Sequence, residues 1–115
     1  MVERRSHPRR SLFYSLKVYN ADTLDQVGRL VDFTQEGLLL HSTEPIELQQ
    51  LITLRIPFPS ESGKSQPLDL EARCVWSRKD HTAGLFAAGF RFINPTPDER
   101  KIIQYVIDKH SRQPI

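Results

Sequence analysis

A closed or nearly closed antiparallel β-barrel of five or six strands, all-β apart from one C-terminal helix, is the fold class the sequence predicts. Three observations predict it. Segments that alternate apolar and polar residues with period two recur along the chain, separated by polar or Gly/Pro-bearing stretches. No strand–helix–strand alternation is present, which argues against a parallel sheet. One helical apolar stripe occurs, and it lies at the C-terminal end. A single helix cannot cover a sheet of this size, so the strands bury their inner faces best by closing on one another, which also removes free edges.

The elements follow in order. Leu12, Tyr14, Leu16 and Val18 fall on one face and Phe13, Ser15, Lys17 and Tyr19 on the other, a strand ended by the turn signal Asn20-Ala21-Asp22. A second strand runs through Gln26–Asp32. Asp32-Phe33-Thr34-Gln35-Glu36-Gly37 then interrupts the alternation before the apolar run Leu38-Leu39-Leu40. Asp32 and Thr34 can bond their own backbone and Gly37 permits a positive φ, so this is a tight loop between strands. Pro45 to Gln50 is a connection with room for a helical turn. Ile52, Leu54, Ile56 and Phe58 alternate with Thr53, Arg55 and Pro57, and Pro57 puts that strand's end at an edge or bulge. Residues 59–67 read as a long surface loop of a hairpin. Leu70, Ala72, Cys74 and Trp76 form the next inward face, with Asp69, Glu71, Arg73 and Val75 outward, and Ser77–Thr82 reads as a polar turn. The last strand is Leu85–Ile93, with Phe86, Ala88, Phe90 and Phe92 on one face. Gly84 marks a turn, and Gly89 a bulge or a close approach. Thr96 can cap a helix, Pro97 suits its first position and Glu99 completes a capping box. Ile102, Ile103, Val106 and Ile107 give that helix its apolar stripe.

The 115 residues, 38% hydrophobic and 26% charged, suit one domain with one modest core. The expected division is a flexible arm over 1–11, a barrel over 12–95 and a helix over 96–110. Cys74 is the single cysteine, which excludes an internal disulfide and a cysteine-based zinc site and makes a reducing cytoplasm the expected location. No segment approaches the roughly 18–20 apolar residues that span a membrane, so membrane insertion is not expected. His7, His41, His81 and His110 show no metal-ligand spacing, and no Ser/His/Asp set sits in a nucleophile-elbow context. No Gly-rich phosphate loop occurs. The chain is therefore not expected to be an enzyme.

Charge is distributed unevenly. Glu3 set against Arg4, Arg5, Arg9 and Arg10 leaves the first ten residues more positive than the whole chain, whose net charge is +2. A nucleic-acid binder more often spreads its basic groups along a face. Concentration at one end favours a small anionic ligand. Arginine offers a planar fork to phosphate oxygens and to the O6/N7 edge of guanine, while a carboxylate such as Asp32 suits guanine N–H donors. Trp76 belongs to the core by parity, yet at a strand end beside Arg78 its indole could also touch a ligand.

Arg5-x-x-x-Arg9 near the N-terminus, followed by Asp32-x-Thr34-x-x-Gly37, resembles the signature of the PilZ domain, RxxxR and then (D/N)xSxxG. The likeness extends over residues 3–108, and the family's six-stranded antiparallel barrel with a C-terminal helix agrees with the fold read from the strand pattern. The resemblance implies binding of cyclic di-GMP, a bacterial second messenger with two guanines and two phosphates, and no cofactor. It implies that Arg5 and Arg9 grip guanine edges and phosphates, that Asp32 accepts from guanine N–H groups, that Thr34 offers a hydroxyl, and that Gly37 lets the backbone approach the ligand. Arg4 matches a position that in some members accompanies a stacked pair of ligands. His7, Trp76 and Arg78 are secondary candidates. Thr34 stands where the family usually has Ser, which keeps the hydroxyl and adds a methyl. The implied mechanism is ordering of the arginine arm on the ligand, read by an unidentified downstream protein. The alternatives are a nucleotide-independent adaptor of the same fold and, behind it, a small RNA- or DNA-binding barrel.

Overall fold

The computed structural model describes residues 16–59, 65–80 and 84–110. Within them the strands are β1 (Lys17–Asn20), β2 (Gln26–Phe33), β3 (Gly37–Ser42), β4 (Leu51–Pro59), β5 (Ser65–Asp80) and β6 (Leu85–Phe92), followed by the helix α1 (Pro97–His110). All pairings are antiparallel, and the order β1-β2-β3-β6-β5-β4 closes into a barrel where β4 meets β1. The predicted fold class is the observed one. The arm with Arg4, Arg5, His7 and Arg9, the start of the first predicted strand at 12–15, and residues 60–64 and 81–83 lie outside the described residues.

The barrel interior is filled by the inward set of each strand. Val18, Leu30, Leu40, Leu54, Ile56, Leu70 and Cys74 are fully buried, and Phe33, Phe58 and Phe92 close one end with ring centroids 5.2 and 5.8 Å from Phe33. Each large aliphatic side chain so buried stabilises the fold by about 1.5–3 kcal/mol. α1 adds Ile103 and Val106 to this core. Its start is the predicted capping box: Glu99 N–H donates to Thr96 Oγ1 at 3.1 Å and Thr96 N–H to Glu99 Oε1 at 2.9 Å. Ile102, expected on the buried stripe, is 45% exposed instead. With Ile103 and Val106 pointing inward, the 100° step per residue turns Ile102 aside.

Other expectations are corrected. Pro45 to Gln50 holds no helical turn. It holds one turn with a left-handed residue, Gln50 N–H donating to the Glu47 carbonyl at 3.2 Å and Gln49 at a φ of +68°, and it is tied to β5, Gln49 N–H donating to the Cys74 carbonyl at 2.8 Å and Cys74 N–H to the Gln50 carbonyl at 3.0 Å. Much of the expected loops at 59–67 and 77–82 is strand. β4 and β5 pair out to Pro59↔Ser65, with Pro57 facing Pro67, and β5 continues to Asp80 opposite Leu85. Ladder bonds belong to the backbone, so strands that overrun the core keep pairing with polar side chains. On its outer face the β4–β5 ladder also carries a forked ion pair, Arg55 Nε and Nη2 each 2.9 Å from an Asp69 carboxylate oxygen.

Cys74 is the buried small hydrophobe that its parity suggested, and burial pushes its thiol up, partly opposed by its bond to the Trp76 carbonyl. The native thiol is expected to resist alkylation until the protein unfolds. The native state holds that proton more tightly than the unfolded chain does. Its contribution is therefore complete below the ordinary thiol range and is lost as pH rises above about 8.5. Denaturant midpoints at pH 7 and 9.5, compared with those of Cys74→Ala, would show this component as the part of the alkaline decline missing in the variant.

Candidate functional site

Residues 34–36 connect β2 to β3, and the loop is folded by Thr34. Its hydroxyl donates to the Gly37 carbonyl at 3.3 Å and accepts from the amides of Glu36 at 3.2 Å and Gly37 at 3.3 Å, while Thr34 N–H donates to the Gly37 carbonyl at 2.9 Å. The hydroxyl that the motif would offer to a ligand is thus engaged within the loop. The loop is fixed from outside as well. Phe92 N–H donates to the Glu36 carbonyl at 2.9 Å. Gln35 Nε2 donates to the Arg100 carbonyl at 3.0 Å and to Gln104 Oε1 at 3.2 Å, so a variable position of the motif ties the loop to α1.

Two β-bulges decide which side chains reach the surface beside this loop. In β2, Leu30 pairs with Leu40 and Asp32 with Leu39, leaving Val31 as an extra residue. Strict alternation would put Asp32 on the same inward face as Leu30. The bulge reverses the parity, so Asp32 is exposed and Phe33 is buried instead. In β5, Cys74 pairs with Phe90 and Trp76 with Gly89, leaving Val75 extra. Trp76, expected on the core face after Cys74, is therefore turned out and is 36% exposed.

The register sets these residues in one row. Asp32 faces Leu39, Leu39 faces Gly89, and Gly89 faces Trp76. Three interstrand steps of about 4.8 Å separate Asp32 from Trp76 across the outer surface. Gly89 makes the row possible: a Cβ there would meet Trp76 Nε1 at 2.3 Å, so its bare backbone lets the indole lie down on the sheet. The close approach expected at Gly89 is this one, and the bulge lies on the facing strand. The Arg78 guanidinium stands 4.8 Å from the indole centroid, a cation–π contact. One row further along the outer surface, Gly37 faces Arg91 and Arg91 faces Arg73.

These rows floor a cleft of about 260 Å³ lined by Asp32, Thr34, Glu36, Gly37, Trp76 and Arg91 among others. The structure thus gathers Asp32, Thr34, Gly37 and Trp76 into one depression, with Arg78 on the indole. Arg4, Arg5, His7 and Arg9 lie outside the described residues. Gly37 is not at positive φ; among the described glycines that conformation belongs to Gly84, at +68°. Its lack of a side chain is required by the barrel itself, because a Cβ would sit 1.9 Å from the Phe90 carbonyl oxygen. Sequence reasoning missed Glu36, Arg91 and the tether at Gln35. Parity alone marks Arg91 as outward, between the buried Phe90 and Phe92, but its position beside Gly37 depends on a β3–β6 pairing that no local pattern encodes. Chemically the cleft offers a carboxylate acceptor, cations and a flat aromatic surface. Among the described residues no three His, Cys, Asp or Glu side chains gather as a metal site, and no helix is long and apolar enough to cross a membrane.

The family model of the PilZ domain matches residues 3–108. Among solved structures, the Bacillus subtilis Inhibitor of motility (MotI/DgrA) aligns with a TM-score of 0.68 and 14% sequence identity, covering 94% of this chain and 51% of that one. The chain thus spans about half the length of MotI/DgrA, and at this identity the likeness is one of fold. No curated protein matches the sequence.

Proposed function

The chain belongs to the PilZ domain family, and from that premise we propose that it is a bacterial cyclic di-GMP receptor that acts in the cytoplasm without catalysing a reaction. The observation that carries this reading is the outward turn of Asp32. A bulge at Val31 takes a carboxylate off the core face and sets it in a cleft level with Trp76. A carboxylate accepts from the N1–H and N2–H₂ groups of guanine, and an indole offers a stacking or edge surface to a base. In this reading Arg5 and Arg9 supply the forks for guanine edges and phosphates, and Arg4 governs whether one ligand or a stacked pair is held. Thr34 shapes the loop that presents Asp32, and His7 and Arg78 are secondary candidates for ligand contact. Binding orders the N-terminal arm at an entropic cost drawn from the interaction energy, and the altered surface is read by a separate protein.

Isothermal titration with cyclic di-GMP tests the reading. Saturable heat at micromolar protein is expected, with a stoichiometry that separates one ligand from two. Absence of heat from demonstrably folded protein would sink it.

A second reading is a nucleotide-independent adaptor. It draws on two observations, the engagement of the Thr34 hydroxyl inside its own loop and the packing reason for Gly37. It predicts a protein partner whose affinity is indifferent to the nucleotide.

A further inference from the structure

Arg91 is exposed on the outer face of β6, and its cross-strand neighbours set it apart. On the β3 side it faces Gly37, which has no side chain, so the stem of Arg91 has open sheet beside it. On the β5 side it faces Arg73, a like charge directly opposite. Like charges in that relation destabilise an antiparallel pair. Arg73 directs one weak bond, 3.5 Å, to the Gln49 carbonyl. The Arg91 side chain has no ion pair or hydrogen bond among the described residues, although Asp32 and Glu36 line the same cleft. Among the described residues, the barrel thus holds an unpaired guanidinium on the floor of the cleft, with a second cation directly across the ladder.

We propose that Arg91 is a phosphate contact of this cleft, carried by the barrel and independent of the N-terminal arm. The proposal rests on the cyclic di-GMP reading and adds a residue to it. A phosphate is the part of that ligand the geometry favours. A neutral guanine edge would leave the Arg73–Arg91 repulsion in place, whereas an anion above the pair relieves it and accepts two parallel bonds from a planar fork. Functional sites retain such locally unfavourable pairs because the ligand compensates them.

The test titrates cyclic di-GMP into the wild-type chain and into Arg91→Ala, Arg91→Lys and Arg91→Glu, with thermal unfolding of each protein without ligand. Arg91→Ala is expected to weaken binding about tenfold or more. Arg91→Lys, which keeps the charge and loses the fork, should fall between. Arg91→Glu should lose detectable binding while unfolding at the same temperature as wild type or higher, since the new carboxylate faces Arg73. Opposite signs for affinity and stability are what a structural role does not produce. Variants that bind like wild type, with wild type itself giving heat, would overturn the assignment of Arg91 and leave the receptor reading standing. A loss of binding that tracks a lowered unfolding temperature would also overturn it. No heat from wild type would instead remove the receptor reading, and this contact with it.

Discussion

Replacing Gly37 by alanine is expected to lower the unfolding temperature of the ligand-free protein by about 10 °C or more. An added Cβ would lie 1.9 Å from the Phe90 carbonyl oxygen, 3.0 Å from its carbon and 3.1 Å from Arg91 Cα. All three are backbone atoms, so no side chain can swing aside. Relief requires β3 to move off β6, and the six-pair register from Gly37↔Arg91 to Ser42↔Phe86 opposes that. Overpacking costs typically 1–3 kcal/mol, and a collision of backbone with backbone belongs at about the upper end of that range. Circular dichroism melts of the two proteins decide the matter. If the glycine serves only to let a ligand approach, the ligand-free melts will coincide. The prediction separates two reasons for one motif residue, and it warns that binding lost in this variant says nothing about contact.

Arg5→Ala and Arg9→Ala carry the second large effect, on affinity alone. Each removes a charged fork proposed to hold a guanine edge or a phosphate. A hydrogen bond to a charged group contributes about 1.5–3 kcal/mol, so each variant should bind cyclic di-GMP roughly ten- to a hundredfold more weakly. The unfolding temperature without ligand should stay close to that of wild type. Titration calorimetry supplies the affinity and a thermal melt the control. An affinity unchanged in both variants would remove the arm from the site, and a large drop in the ligand-free melt would make the arm part of the fold.

The architecture was legible because its signals are local. Leu16 and Val18, the set from Ile52 to Phe58, and the set from Leu70 to Cys74 each alternate as barrel strands must, and Thr96, Pro97 and Glu99 mark the start of α1. The site was legible only in part. Asp32, Thr34 and Gly37 were found as a motif, but period-two reasoning placed Trp76 in the core. It failed there because a bulge is a change of register between two strands, and Val75 looks like any other outward residue. Gly37 was explained by backbone freedom when the constraint came from the strand beside it. Arg91 went unnoticed for the same reason, since its neighbours Gly37 and Arg73 are remote in sequence. What escaped notice in each case was a relation across strands.

The closure of the barrel has a consequence for local opening. Among the described residues β1 meets β4 at Tyr19↔Arg55 and Asn20↔Leu54 alone, whereas β4 and β5 pair from Leu51↔Arg73 to Pro59↔Ser65. A sub-global opening costs least where the fewest ladder bonds must break together, so amide exchange enters the barrel most readily at this seam. The strand that lifts away there is the one the N-terminal arm leads into. Holding the arm against the cleft would slow exchange along β1, at the barrel's own line of closure.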